Sequence, residues 1–358
     1  MKRIGILTSG GDCQGLNSAI RGVAKALYEH FGADMEIYGI KNGYHGLING
    51  NYRKMEPIDF TGLLIRGGTI LGTSRQPFKR MWDEDENGVS KVEKMKKTYK
   101  KMKLDCLVVL GGNGTHKTAN LLSEEGLNII GLPKTIDNDL WGTDMTFGFY
   151  SALNVATDVI DRIHTTATSH SRVFIVEIMG HKVGWLALYA GIAGGADVIL
   201  LPEIPYDIES VNRELAKRTS IGKSFSIIAV AEGAISQEEA QMTKKQFKKH
   251  RAAMKQPSIA YRIADELRDK HPNEIRVCVP GHFQRGGGPC PYDRVLTTRI
   301  GTSAAQLIAE KKFGYMVALR DNEIVPVPLK DVAGKLKVVT PDCNEVVTAR
   351  QMGICFGD

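Results

Sequence analysis

The stretch from Leu107 to Asp139 constrains the fold more than any other part of this 358-residue chain. It opens on Leu107-Val108-Val109-Leu110, a run short and branched enough to be a buried parallel strand. Gly111-Gly112-Asn113-Gly114-Thr115 follows, then a helical pattern from Lys117 to Glu125 with Ala119, Leu121 and Leu122 apolar. A second buried strand, Ile129 to Leu132, leads into Pro133-Lys134-Thr135-Ile136-Asp137-Asn138-Asp139. The order is therefore strand, glycine turn, helix, strand and charged edge.

Glycines at the carboxyl end of a buried strand let the backbone come close to a ligand, and the following helix points free N–H groups there, which favours an anion. The turn reads equally as a phosphate seat or as a plain tight connection. The second edge adds two carboxylates and a lysine, a set able to take a proton, hold a metal and neutralise phosphate charge. Acids crowded at a strand end cost stability unless a ligand or metal uses them. The two edges together point to phosphoryl transfer.

A chain of this length exceeds one typical core, so two domains are expected. No apolar run approaches the ~20 residues of a membrane span, and the amino terminus lacks the pattern of a signal peptide, so a cytoplasmic location is expected. The six cysteines (Cys13, Cys106, Cys278, Cys290, Cys343, Cys355) show no CxxC pair or metal-like spacing, and reduced thiols are expected. The net charge of +7 is concentrated in two runs. Residues 91–103 hold seven lysines, and residues 243–255 hold five lysines and an arginine. Both have helical spacing and no interleaved aromatic platform, so they read as solvated helix faces, with neither nucleic acid nor membrane as partner.

The rest of the chain alternates in the same way. Arg3 to Thr8 is a strand that turns through Ser9-Gly10-Gly11-Asp12 into a helix from about Leu16 to Phe31, and Met35 to Ile40 is the next strand. After the central stretch come a helix from Tyr150 to His164 and strands at Val173–Ile178, Val198–Leu201, Phe225–Val230, Ile275–Val279 and Met316–Leu319. Helical patterns lie between them near 183–192, 208–218, 237–254, 257–270 and 294–312. Strands alternating with helices specify an α/β fold with a parallel, doubly wound sheet. A second set of strands with its own edge residues places a second domain from about Phe149 onward. Gly222-Lys223-Ser224 mimics the end of a Walker loop, but Lys217 stands where its first glycine belongs and the strand follows instead of preceding it. Asp83 to Gly88 reads as an exposed acidic turn.

Several motifs in one order carry a family resemblance across nearly the whole chain: Thr8-Ser9-Gly10-Gly11-Asp12, Gly72-Thr73-Ser74-Arg75, Gly111 to Thr115, Pro133 to Asp139, Met179-Gly180-His181 and Gly281-His282-Phe283-Gln284-Arg285-Gly286-Gly287. They resemble the 6-phosphofructokinases. The resemblance implies two Rossmann-like, mostly parallel α/β domains with a cleft between them. A larger donor domain would comprise 1–148 plus 282–334, and a smaller sugar-phosphate domain 149–281 plus 335–358. It implies glycolytic transfer of a phosphoryl group from ATP, with Mg²⁺, to the 1-hydroxyl of fructose 6-phosphate.

In roles carried over from that family, Asp137 accepts the hydroxyl proton, and Thr135 and Arg75 hold the transferring group. Gly11, Tyr44, Arg75, Gly111, Gly112, Asn113, Gly114, Thr115 and Lys134 surround the donor. Met179, Gly180, His181, Glu232, His282 and Arg285 meet the sugar phosphate alongside Thr135 and Asp137. Arg172 and Arg276 reach it from a neighbouring subunit, so a homo-oligomer, dimer or tetramer, with shared sites is implied.

The chain departs from the family pattern at several places. Asn113 replaces a metal-binding aspartate, which leaves Asp139, Asn113 itself or water to hold Mg²⁺. His181 replaces an arginine, Gln76 an aromatic residue on the adenine side, and His164 and Phe225 basic effector-site residues. On the donor, Gly114 favours ATP, because pyrophosphate-using members carry an aspartate there, whereas Lys134 is the residue pyrophosphate enzymes have. Diacylglycerol and NAD kinases share GGDGT-like turns but not the later motifs. A non-catalytic sugar-phosphate sensor remains the alternative outside enzymes, and the intact Asp137 argues against it.

Overall fold

A computed structural model of the chain describes residues 1–254 and 256–358; Lys255, the last lysine of the second basic run, lies outside them. The strands are β1 (Lys2–Thr8), β2 (Met35–Ile40), β3 (Tyr52–Met55), β4 (Cys106–Gly111), β5 (Ile129–Pro133), β6 (Val173–Ile178), β7 (Val198–Leu200), β8 (Ser226–Ala231), β9 (Ile275–Cys278), β10 (Tyr315–Arg320) and β11 (Glu323–Pro328). The helices are α1 (Leu16–Phe31), α2 (Tyr44–Asn49), α3 (Lys91–Met102), α4 (Asn113–Glu124), α5 (Phe149–His170), α6 (Trp185–Ala193), α7 (Ile208–Ser220), α8 (Gln237–Ala240), α9 (Lys244–Ala253), α10 (Ile259–Arg268), α11 (Pro291–Ala309), α12 (Leu329–Val332) and α13 (Asn344–Gln351). They form two compact units, Met1–Ser151 with Arg285–Lys337, and Ala152–Gln284 with Val338–Asp358.

The first unit is built on a seven-stranded sheet of order β11-β10-β5-β4-β1-β2-β3. Its interior pairs are parallel, and only the edge strands β3 and β11 run antiparallel. Every residue of β4 is buried, as an apolar run covered on both faces must be. From β1 the chain goes to β2 on one side and returns through β4 on the other. The strand order thus reverses between β1 and β4, and the loops at their carboxyl ends flank a natural ligand crevice. Helix α1 packs on α11 with Gly22 against Gly301, where a Cβ on Gly301 would stand 2.6 Å from Gly22 backbone.

The second unit has a four-stranded, wholly parallel sheet of order β7-β8-β6-β9. Val173, Ile175, Val198, Leu200, Ile228 and Val230 form its core with Ile259, Ile263 and Leu267 of α10.

The unit boundaries fall three residues later than 148/149, 281/282 and 334/335, for identifiable reasons. Asp293 accepts from the N–H groups of Gly148 and Ser151 and from the Ser151 hydroxyl, which keeps the first residues of α5 with the first unit. Gln284 accepts from the Met179 N–H and so stays with the second unit. Lys337 donates to the carbonyls of Thr143 and Asp144, and its N–H to that of Asp139, so it stays with the first.

Three local expectations need correction. Helix α4 starts at Asn113 rather than Lys117, so part of the glycine turn is its first turn. The pattern from Gln237 to Met254 is two helices, because Ser236 with Glu239 and Thr243 with Gln246 each form a capping box that starts its own helix. The edge strands β3 and β11 are additional to the expected strands: β3 lacks an apolar run, and β11 carries Pro326 and Pro328, which an edge tolerates. The six cysteines are free thiols. Among the described residues no helix is long and apolar enough to cross a membrane.

Candidate functional site

In the first unit the glycine turns after β1 and β4 are tied to one another. A Cβ on Gly111 would stand 2.3 Å from the Thr115 side chain, so glycine is what lets Thr115 fold back over the end of β4. The Thr115 hydroxyl then donates to the Ser9 carbonyl at 3.3 Å, and the Ser9 N–H to the Leu110 carbonyl at 2.9 Å. The Gly72–Arg75 segment closes on the same turn: the Gly10 N–H donates to the Ser74 carbonyl at 3.1 Å, and the Thr73 hydroxyl to the Gly10 carbonyl at 2.7 Å. Arg75 itself is exposed.

Helix α4 begins after Gly112 with no side-chain cap and no acid in its first turn, so its leading N–H groups are suited to an anion. Gly114 is exposed in that turn, and a Cβ there would meet nothing within 4 Å. Tyr44 is only 1% exposed and donates to the Thr115 carbonyl at 2.9 Å, so it supports the turn from below rather than touching a ligand.

The acidic loop follows on the adjacent strand. Gly111 and Pro133 are register partners, and the Lys134 N–H donates to the Gly111 carbonyl at 3.0 Å. The Thr135 hydroxyl accepts from the Asp137 N–H at 3.0 Å, which turns the chain and sets the Asp137 side chain at the edge. Asn138 adopts φ +52° and accepts from the Thr146 N–H at 3.1 Å, while the Thr146 hydroxyl donates to the Thr135 carbonyl at 2.8 Å. Asn138 and Thr146, not singled out in the sequence, therefore hold the loop in shape.

Charge in this loop is concentrated and partly dry. Lys134 is 4% exposed and donates to the Gly11 carbonyl; burial, followed by effects including Arg285 close by, lowers its pKa. Burial and then the neighbouring Asp137 push the Asp139 carboxyl up to about 6. Two hard oxygen donors that repel one another suit a divalent cation such as Mg²⁺. The Asn113 amide NH₂ donates to the Lys335 carbonyl, so only its oxygen is available as a ligand.

Arg285, expected among the sugar-phosphate contacts, belongs to the first unit. It donates to the Asp12 carbonyl at 2.9 Å with its guanidinium against Gly11. Gln14 donates to the Gly286 carbonyl at 2.7 Å and pins the same segment to the loop after β1. A cavity of about 410 Å³ lined by residues including His45, Asn49, Gln76, Glu84 and Lys94 adjoins Arg75 in sequence through Gln76. A larger cavity of about 670 Å³, against Lys25, Tyr28, Lys54 and Phe60, includes none of the expected site residues.

In the second unit, Met179, Gly180 and His181 form the turn after β6, and Glu232 follows β8. Gly180 has φ +151° and His181 φ +54°. Glu232 Oε1 accepts from the His181 N–H at 2.7 Å and the Gly180 N–H at 3.3 Å. The Gly180 N–H expected to meet substrate is thus engaged by Glu232, and the carboxylate shapes the turn. Gln284, missed in the sequence, accepts from the Met179 N–H at 3.1 Å and donates to the Gly281 carbonyl at 3.1 Å, bracing the turn that carries the exposed His282.

Arg172 and Arg276 stand elsewhere in that unit. Arg172 precedes β6 and Arg276 is the second residue of β9, whereas Met179 follows β6. The six residues of β6 lie between Arg172 and Met179, and Arg276 stands beside Phe174, so both arginines are on the order of 15–20 Å from that turn. The sequence pattern hid this, because both arginines sit beside strands whose other ends carry the substrate motifs.

Comparison with known proteins agrees across the chain. The family model described as Phosphofructokinase matches residues 3–308. The ATP-dependent 6-phosphofructokinase of Spirochaeta thermophila is 58% identical over 360 residues, covering 100% of this chain and 98% of that protein. The pyrophosphate–fructose 6-phosphate 1-phosphotransferase of Amycolatopsis methanolica is 43% identical over 345 residues, covering 96% of this chain and 98% of that one. Among solved structures, Pichia pastoris phosphofructokinase in the T-state superposes with a TM-score of 0.78 at 32% identity. That alignment covers 92% of this chain, which spans 35% of the Pichia chain.

Proposed function

This chain belongs to the phosphofructokinase family, and we propose that it transfers the terminal phosphoryl group of ATP to the 1-hydroxyl of fructose 6-phosphate, giving fructose 1,6-bisphosphate in glycolysis. The observation that carries the reading is the adjacency of β4 and β5. It sets an uncapped helix N-terminus and the Asp137 loop on neighbouring strands, Gly111 opposite Pro133, about 5 Å apart. A phosphate seated on α4 would then lie beside a carboxylate able to take the acceptor's proton.

Catalysis of this kind is mostly positioning and electrostatics. The Asp137 carboxylate accepts the 1-hydroxyl proton as the oxygen attacks. The Thr135 hydroxyl and Arg75 guanidinium hold the transferring group, and the N–H groups of Asn113, Gly114 and Thr115 take the remaining phosphate charge. The buried Lys134 cation reinforces the same seat. Asp139, with the Asn113 oxygen, would hold Mg²⁺, which supplies charge neutralisation on the phosphate chain when bound. Met179, Glu232 and His282 bind the sugar phosphate, and the Arg285 guanidinium at Gly11 adds positive charge to the donor loops.

ATP is favoured as donor by the open space at Gly114, by the cavity beside Gln76, which is large enough for a base, and by the name of the Spirochaeta relative. Pyrophosphate is the second reading, favoured by Lys134 and by the name of the Amycolatopsis relative. The position of Arg172 and Arg276, a strand length from their own Met179 turn, supports a homo-oligomer in which they serve a neighbour's substrate. The enzyme would act in the cytoplasm.

A donor-by-acceptor activity matrix on the purified chain tests the reading. ATP or pyrophosphate would be combined with fructose 6-phosphate, sedoheptulose 7-phosphate, NAD or diacylglycerol. Fructose 1,6-bisphosphate formed fastest from ATP is expected. Sugar-phosphate binding with no turnover under any donor would replace the enzyme with a sensor.

A further inference from the structure

Glu274, which no motif singled out, holds the two expected phosphate-binding arginines together. Arg172 Nε donates to Glu274 Oε2 at 2.5 Å, and Arg276 Nη2 donates to Oε1. Strand pairing builds the arrangement: the Val173 N–H donates to the Glu274 carbonyl at 3.0 Å, and Phe174 is the register partner of Arg276. Residues 172, 274 and 276 therefore share one end of the β6–β9 pair. The side chains of Arg172, Glu274 and Arg276 are 23%, 49% and 52% exposed.

A carboxylate bridging two guanidinium groups makes the contacts a phosphate would make there. We propose that Glu274 is a specificity-determining residue, an internal anion that occupies Arg172 and Arg276 until a phosphorylated sugar displaces it and that thereby keeps free inorganic phosphate out of the acceptor site. This rests on the proposed role of the two arginines in meeting the sugar's phosphate. With Glu274 in place the trio carries one net positive charge; with it displaced, the two guanidinium groups match a dianion.

Ion pairs this exposed are weak and exchange readily, so displacement is feasible. Inorganic phosphate gains only the arginine contacts and must compete with a tethered carboxylate. A sugar phosphate gains its hydroxyl contacts as well, and so wins the exchange. Rejection of the wrong anion by a built-in competitor is specificity by repulsion as well as by fit.

The test is steady-state kinetics of the full-length protein, parent against Glu274→Gln, Glu274→Asp, Arg172→Ala and Arg276→Ala, with inorganic phosphate as inhibitor. Removing the charge in Glu274→Gln should lower the phosphate inhibition constant roughly ten-fold and KM for fructose 6-phosphate roughly three-fold, with kcat little changed. Glu274→Asp, which keeps the charge, should retain the parent's resistance to phosphate. A higher KM in Glu274→Gln, or unaltered phosphate inhibition, would overturn the assignment. If both arginine variants kept the parent KM, the underlying reading of the arginines would fail instead. The arginine variants thus separate the two failures.

Discussion

Lys134, on the loop after β5, donates its ammonium to the carbonyl of Gly11, on the loop after β1, across the intervening strand β4. The lysine that resembles a pyrophosphate-enzyme residue is thus tied to the backbone of the proposed donor loops. Its cation is committed to holding those loops and adds charge that either donor tolerates. Gly114, by contrast, leaves open space at the first turn of α4.

That difference predicts the donor. In Gly114→Asp the new Cβ meets no atom within 4 Å, so the fold should survive while charge and bulk enter the space the proposed ATP site leaves for an α-phosphate. The ratio of kcat/KM for ATP to that for pyrophosphate should fall by at least about 10²-fold, the scale of a close like-charge contact. An unchanged ratio would remove Gly114 from donor selection.

Asp139 predicts a linked dependence on pH and Mg²⁺. Its folded pKa, about 6, lies above the ordinary aspartate value of 3.8, so the folded state holds a proton that the unfolded chain releases. This contribution is fully present below about pH 4 and is lost as pH rises through 6, on the order of 3 kcal/mol. Relative to the parent, Asp139→Asn should therefore gain thermal stability on going from pH 4.5 to pH 7. A cation on the ionised carboxylate should act oppositely, so Mg²⁺ should raise the parent's Tm more at pH 7 than at pH 5. Equal Mg²⁺ shifts in parent and variant would contradict the assignment of Asp139 as a ligand.

Shared sites predict complementation. Neither Arg172→Ala nor Asp137→Asn alone should turn over well at low fructose 6-phosphate, but after subunit exchange a mixture should recover part of the activity. A mixture that stays inactive after demonstrated exchange, or a fully active monomer, would contradict sharing.

Regulation is predicted from contacts in the second unit. His164 packs edge-on to Phe225 at 5.7 Å with Nε2 against the Gly194 carbonyl, and Arg218 pairs with Asp197 at 2.8 Å. His164 and Phe225, which stand where the family resemblance puts basic effector-site residues, are thus packed on one another and on backbone. Saturation by fructose 6-phosphate should be close to hyperbolic and little altered by ADP or phosphoenolpyruvate. A strongly sigmoidal curve relieved by ADP would contradict this.

What the sequence revealed and what it hid follow from physics. Runs such as Leu107–Leu110 and Ile129–Leu132 read as strands because burial on both faces demands an unbroken apolar run. β3 was hidden because Arg53 and Lys54 at a sheet edge carry no such demand, and β11 because its prolines argue for a loop. The residue types at the site were readable, but their partners were not. Glu232 folding onto the Gly180 and His181 N–H groups, Tyr44 beneath Thr115, and Glu274 between two arginines join positions 52, 71, 102 and 2 residues apart. Only the Glu274–Arg276 spacing is local, and at an edge strand a charge two residues away is too common to signal a bridge.

The most direct test of the account is Asp137→Asn, which keeps the loop's shape and removes the proton acceptor. Binding of fructose 6-phosphate, measured by calorimetry, should stay within a few-fold of the parent, while kcat with Mg²⁺ and ATP should fall ~10²–10⁴-fold. Near-normal turnover in this variant would contradict the role of Asp137 and the reaction built on it.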